Sequence, residues 1–256
     1  MIEVRHLAKR FEALEVFSDV SLDVHDGETL AIIGHSGVGK SVLMKHFVGL
    51  LRPDEGHVLV DGTDVGTISY DELRSMRRRF GVLFQGGALF DSMTTSENIA
   101  FPLRHFSAMG GAEVRDRVQE CLDLVRLSSV GPKKPSELSG GMRKRAALAR
   151  AIALEPEYIL YDEPTTGLDP ETSNTINDLI IHLSDELNVT SVVVTHDMHS
   201  VLSIADRVAF LHDQGLEWIG PVSGIHDCSN PHLNSFVEAD EYQVGSTAPS
   251  LSGSSA

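Results

Sequence analysis

Residues 30–41 read LAIIGHSGVGKS, and the fold turns on this stretch. Leu30 to Ile33 is a short apolar run that stops at Gly34, and a helical pattern follows from Ser41. Between them, Gly34 to Ser41 satisfies G-x-x-x-x-G-K-[ST] in its required setting, after a strand and before a helix. Gly34, Gly37 and Gly39 let the backbone bend toward a phosphate with no Cβ in the way. The backbone of the whole loop, with His35, Ser36 and Val38 between the glycines, turns its N–H groups toward an anion. The following helix adds the positive end of its dipole. The His35 side chain occupies a free position of the pattern and is given no role of its own. Lys40 supplies a mobile cation for β- and γ-phosphates, and Ser41 a hydroxyl ligand for Mg²⁺.

Outward from this loop, short apolar runs alternate with amphipathic helical stretches, the pattern of an α/β fold. Val20 to Val24 and Val58 to Val60 read as strands, the second ending in a turn at Asp61-Gly62. Tyr158 to Tyr161, Ser191 to Thr195 and Val208 to Leu211 are short, apolar and bounded by polar residues, as buried parallel strands are. Ile176, Leu179, Ile180, Leu183 and Leu187 fall at helical spacing between two of them, which makes a βαβ crossover. From about Ser96 to Ala153 the pattern turns helical, with Val114, Val118, Cys121, Leu122 and Val125 on one face. The expected domain is residues 1–242, with a helical subdomain over about 91–155 inserted in it. Residues 243–256 (QVGSTAPSLSGSSA) read as a flexible Ser/Gly-rich tail.

Other strand ends collect polar groups on the same edge, where a doubly wound sheet places its ligand. YILYDE (158–163) brings Asp162 beside Lys40 to hold Mg²⁺, and Glu163 to orient and polarise an attacking water. GVLFQ (81–85) ends at Gln85, whose amide oxygen reaches the ion or the water without adding charge. SVVVTH (191–196) ends at His196, a donor for the γ-phosphate as charge develops there.

Composition restricts the partners. With 21 Lys and Arg against 37 Asp and Glu, the net charge of −16 is a poor start for binding a polyanion. No run approaches the roughly 18–20 apolar residues of a membrane span. The opening MIEVRHL lacks the apolar stretch of a signal peptide. Two distant cysteines, Cys121 and Cys228, make neither a disulfide framework nor a metal clamp. The expectation is a soluble, acidic protein of a reducing compartment.

Leu138 to Met142 reads LSGGM, followed by RKRAALARAIALEP and the YILYDEP strand. In that order the chain strongly resembles the nucleotide-binding subunit of ABC transporters over residues 1 to about 236: Walker A, Q-loop glutamine, LSGG signature, Walker B, D-loop and switch histidine. The resemblance implies a P-loop NTPase cassette. Its parts are a RecA-like mixed sheet lobe with antiparallel N-terminal strands and an inserted α-helical lobe. It implies ATP and Mg²⁺ as cofactors and a head-to-tail homodimer in which Ser139, Gly140 and Gly141 cap the γ-phosphate of the opposite subunit. An SGG turn opening a helix is independently an N–H-rich site for an anion. Gly167, Leu168 and Asp169 match the D-loop, with Asp169 at the nucleotide interface. Phe11 sits where the family stacks an aromatic on adenine; a core-filling role is the alternative. The residue after LSGG is usually Gln in the family and here is Met142, which cannot make an amide's hydrogen bonds.

FQGGALFDSMTTSENIAFPLRH (84–105), with the LSGGM signature, looks most like the ATPase of Mce-type (Mla) phospholipid transporters. That implies an MlaE-like integral membrane permease, a Mce-domain protein and a STAS-domain subunit as partners, and a place at the cytoplasmic face of the inner membrane. The alternatives are the ATPase of an importer of small polar solutes, or a soluble non-transport ABC ATPase. The GALF stretch either seats a permease helix or packs the two lobes together. The run Arg74, Arg77, Arg78 and Arg79 reads as a solvated helix end, with lipid headgroups as the other option. Arg143, Lys144 and Arg145 open a helix where its dipole disfavours them, which suggests a use at nucleotide phosphates or the opposing subunit.

Overall fold

Alternating burial along the first strands builds one half of the sheet. In the computed structural model, which describes residues 1–245, β1 (Ile2–Phe11) and β2 (Leu14–Val24) pair antiparallel. Ile2 and Val4 point inward while Glu3 and Arg5 stay half-exposed, the period of two that a half-buried strand requires. The alternation slips at His6 (φ 50°), where the register shifts and Leu7 turns into the core. β4 (Glu55–Val60) adds antiparallel to β1, and β5 (Thr63–Asp64) returns on it across Asp61-Gly62, both with positive φ.

The other half is parallel and buried on both faces. β3 (Thr29–Ile33) and β8 (Thr190–Val194) have every residue buried. They lie with β6 (Phe80–Leu83), β7 (Tyr158–Asp162) and β9 (Arg207–His212) in a parallel set, and β10 (Gly215–Pro221) runs antiparallel to β9. The ten-stranded order is β5-β4-β1-β2-β10-β9-β3-β8-β7-β6. On β3, Leu30 and Ile32 join the core beneath β1, β2 and α1 (Lys40–Phe47), while Ala31 and Ile33 face α7 (Met198–Ile204) and α8 (Pro231–Gly245).

Every helix or strand assigned between β6 and β7 is helical: α3 (Thr95–Phe106), α4 (Gly111–Leu124), a short 3₁₀ turn and α5 (Gly140–Ala151). Val114, Val118, Cys121, Leu122 and Val125 are all buried in one core with the inner faces of α3, α5 and α6 (Pro170–Leu187). Among the described residues no helix is long and apolar enough to cross a membrane.

One sequence expectation needs correcting here. The arginines at the end of α2 (Tyr70–Arg77) are not simply solvated. Arg77 donates to the carbonyls of Val48 and Gly49, each at 2.9 Å, closing the free end of α1. Arg79 pairs with Asp61 and Glu157, and Arg74 and Arg78 lie over the Phe106 ring. α8 runs through Gly245, across the first residues of the stretch expected as a tail. The remainder of that stretch, residues 246–256, lies outside the described residues.

Candidate active site

A cleft of about 310 Å³ opens at the carboxyl edge of the parallel strands, lined by Ser36, Gly37, Gly39, Lys40, Ser41, Val42, Gln85, Glu163 and His196. Residues up to 160 positions apart in sequence meet there because β3, β6, β7 and β8 run parallel and end together.

The loop between β3 and α1 is held tightly from below. Gly39 caps α1 at φ 105°, and a Cβ there would lie 2.6 Å from Val16 Cγ1 and 2.7 Å from the Phe17 ring. Only glycine meets both demands. Lys40 is buried and donates from Nζ to the carbonyls of Gly34 (2.7 Å) and His35 (3.2 Å). Burial pushes its pKa down, against the pull of Glu163 and Asp162. It is therefore a cation short of solvation, for which a phosphate compensates. Ser41 Oγ donates to Asp162 Oδ1 at 2.7 Å. Hydroxyl and carboxylate oxygens side by side are the hard donor set that suits Mg²⁺.

Glu163 sits just past the end of β7 in a left-handed conformation, φ 49°. For a non-glycine residue that costs about 1–3 kcal/mol, and it persists only where neighbours over-determine it. Here they do. Its N–H donates to the Val194 carbonyl (2.8 Å) and its own carbonyl accepts from Lys144 Nζ (2.8 Å). The side chain is 13% exposed and accepts from Thr166 Oγ1 at 2.9 Å, with His196 Nδ1 2.9 Å from Oε2. The turn thus aims a carboxylate into the cleft and fixes it from two sides.

The sequence-predicted residues divide by place. Ser36, Gly37, Gly39, Lys40, Ser41, Gln85, Glu163 and His196 line the cleft, with Asp162 bound to Ser41. Gly34 contributes a carbonyl to Lys40. The Val38 side chain packs against the sheet core, and the His35 ring turns away onto Phe236, 5.2 Å between centroids. Phe11 is 41% exposed at the end of β1 with Lys9 beside its ring, so the core-filling alternative falls. Ser139, Gly140, Gly141 and Asp169 lie outside the cleft. Ser139 caps α5, its hydroxyl accepting from the Met142 N–H at 3.2 Å, and is exposed. Gly141 is buried against Thr172 of α6, whose methyl occupies the space a Cβ would need. Asp169 caps α6 and is held below its usual range by hydrogen bonds from Thr172. The Met142 side chain packs against the helical core.

The basic triplet opening α5 is spent inside the chain. Arg143 donates to the Leu138 carbonyl, Lys144 to Glu163 and Arg145 to the Arg126 carbonyl. Thr166 is a site residue the sequence reading missed, and Lys144 was singled out there without its bond to the Glu163 carbonyl. The only signal was a cation where the helix dipole opposes it, and a hydroxyl three residues after Glu163. In the GALF stretch the two apolar side chains part company. Leu89 packs against the helical core, while Phe90 is 42% exposed beside Phe101.

A sequence profile of the ABC transporter family matches residues 17–166. The chain is 43% identical over 236 residues to the probable ribonucleotide transport ATP-binding protein mkl of Mycobacterium leprae, covering 92% of this chain and 68% of that one. It is 44% identical over 214 residues to the intermembrane phospholipid transport system ATP-binding protein MlaF of Haemophilus influenzae, covering 84% and 81%. A dimeric ATP-binding cassette solved in a post-hydrolysis state, with ADP and Pi bound, superposes with a TM-score of 0.79. It shares 34% identity, over 87% of this chain and 99% of that one.

Proposed function

The chain belongs to the ABC transporter family as an ATP-hydrolysing subunit, and on that premise we propose that two copies close head to tail around two MgATP to drive phospholipid movement through a membrane permease. The observation that carries this reading is the separation within one chain. The cleft around Lys40 holds loop, base and histidine, while the exposed Ser139 helix start, equally suited to an anion, lies outside it. A second copy supplies what the first lacks.

In this mechanism the loop N–H groups and Lys40 bind the β- and γ-phosphates of the substrate, the amine exchanging its carbonyl partners for phosphate oxygens. Ser41 and Asp162, with Gln85 beside them, would hold Mg²⁺, which when bound neutralises phosphate charge. Glu163, kept in place by Thr166, takes the proton of the attacking water as general base. His196 holds that carboxylate from the other side and donates to the phosphate as charge develops. Phe11, exposed on β1, stacks on the adenine. Ser139, Gly140 and Gly141 of one copy cap the phosphate bound by the other, and Asp169 lies at the same junction.

The lipid cargo is supported by the identity to a protein named for phospholipid transport and by the FQGGALF and FPLR segments. The groove lined by Phe84, Phe90, Phe101, Phe106, Arg74 and Arg150 is where a helix of an MlaE-like permease would seat. With it would come a Mce-domain protein, a STAS-domain subunit and a position on the cytoplasmic face of the inner membrane. The identity to a protein named for ribonucleotide transport favours a second reading, a polar cargo. Isolating the intact membrane complex and identifying the molecule bound in its membrane subunits decides between them. Phospholipid supports the first reading, and a nucleotide-like solute overturns it.

A further inference from the structure

Away from the cleft, three side chains with metal-ligand chemistry converge where the last two strands meet the C-terminal helix. His212 ends β9, Glu217 lies on β10 and His232 is in the first turn of α8. One ligand atom from each lies within 4.8 Å of the other two. His232 Nδ1 is 2.9 Å from Glu217 Oε2, and the His212 and His232 rings stack with centroids 4.3 Å apart. We propose that His212, Glu217 and His232 bind one divalent transition-metal ion of the Zn²⁺ class.

The donor chemistry sets the class. Two imidazoles and a carboxylate are a three-ligand set that Zn²⁺ takes with a fourth position left open. Imidazole nitrogen selects against Mg²⁺ and Ca²⁺, which want oxygen alone. Support for the carboxylate is already built, since Asn230 Nδ2 donates to Glu217 Oε2 at 3.2 Å, the kind of outer partner that orients a metal ligand. Bonds of about 2.1 Å place tetrahedral ligand atoms ~3.4 Å apart. The His232–Glu217 pair, at 2.9 Å, therefore opens slightly while the widest separation, up to 4.8 Å, closes, and rotation of the two stacked rings at a half-exposed surface supplies both changes. The ion takes the place of the hydrogen bond between His232 Nδ1 and the Glu217 carboxylate.

Such an ion ties α8 to the β9–β10 hairpin. One helical turn beyond His232, Phe236 packs edge-on against the His35 ring of the phosphate loop, and His35 lies 6.2 Å from His212. Occupancy would therefore stiffen the outer side of the loop that holds the nucleotide, and metal availability would reach the ATPase through α8.

The test is titration of the full chain, stripped with a chelator and free of nucleotide, with Co²⁺ as a visible-spectrum probe and Zn²⁺ as competitor. The expected result is one ion per chain with the strong visible bands of a tetrahedral site, displaced by Zn²⁺. Affinity should fall by more than about tenfold in both His232→Gln and Glu217→Gln and stay unchanged in His57→Gln, whose ring pairs with Asp64 on another strand. His232 is 56% exposed, so its replacement leaves the core intact, and a matching thermal melt confirms that. Absence of a saturable spectrum, or undiminished binding in His232→Gln, overturns the proposal. So does a signal lost only in His196→Gln, which would put the ion in the nucleotide cleft.

Discussion

At the phosphate loop, Lys40, Ser41, Glu163 and His196 each hold a partner within the chain, whereas at the start of α5 Ser139 faces solvent and its hydroxyl serves only its own helix. The first region closes on itself: carbonyls stand where phosphate would lie against Lys40, and Asp162 keeps Ser41 in place. The second has the same elementary equipment, an N–H-rich helix start beside glycine, but lies outside the cleft. The difference teaches that the chain carries both parts of a site but keeps them apart. On the head-to-tail arrangement proposed above, the chemistry belongs to the pair.

The largest expected effect tests the closed end. Glu163→Gln should keep ATP binding while phosphate release falls by about 10²–10⁴-fold; turnover near wild type would remove Glu163 as the base. Lys40→Ala loses a charged hydrogen bond of about 1.5–3 kcal/mol, or roughly 10- to 100-fold in ATP affinity by equilibrium binding. Unchanged affinity would break the phosphate-loop assignment. Mixing Lys40→Ala and Ser139→Ala chains puts the two regions against each other. Each homodimer should be inactive, and the heterodimer, with one complete junction, should recover turnover measurable by phosphate release.

Smaller effects sharpen the comparison. Gly141→Ala pushes a methyl against Thr172 and should cost about 1–3 kcal/mol of stability in denaturant melts. Thr172→Ser should restore part of it by removing the obstructing methyl. A site remote from both ends calibrates the rest. Burial pushes Asp61 up, but hydrogen bonds from the Met1 amino group, Arg79 and Tyr158 outweigh it and hold its pKa at about 2 against a reference of 3.8. The stabilisation is present above pH 3.8 and is lost as pH falls through about 2. Asp61→Asn should therefore lower stability at neutral pH by at most about 1 kcal/mol, because the side chain is 39% exposed and screened. The gap from wild type should close near pH 2.

Much of this arrangement was legible before any coordinates. β3, β7, β8 and β9 are apolar runs with turn residues at their ends, and β-branched density marks them without help from tertiary structure. β10 was not read, because GLEWIGP carries two glycines and a proline and becomes a strand through pairing with β9. Nor does sequence disclose where a long cation ends. Lys144 reaches across to the Glu163 carbonyl only because α5 packs beside that turn, and Arg77 finds α1 by the same accident of proximity. Spacing encodes which residues share a face. It does not encode a partner supplied by another element.

The Lys144 bond has a mechanical meaning. The helix that offers Ser139 outward also grips, one turn later, the peptide of the only site carboxylate held at positive φ. If α5 meets a neighbour's nucleotide as proposed, a tilt of the helix would pull on that peptide. Engagement with a second molecule and alignment of the first molecule's own base would then be two ends of a single lever.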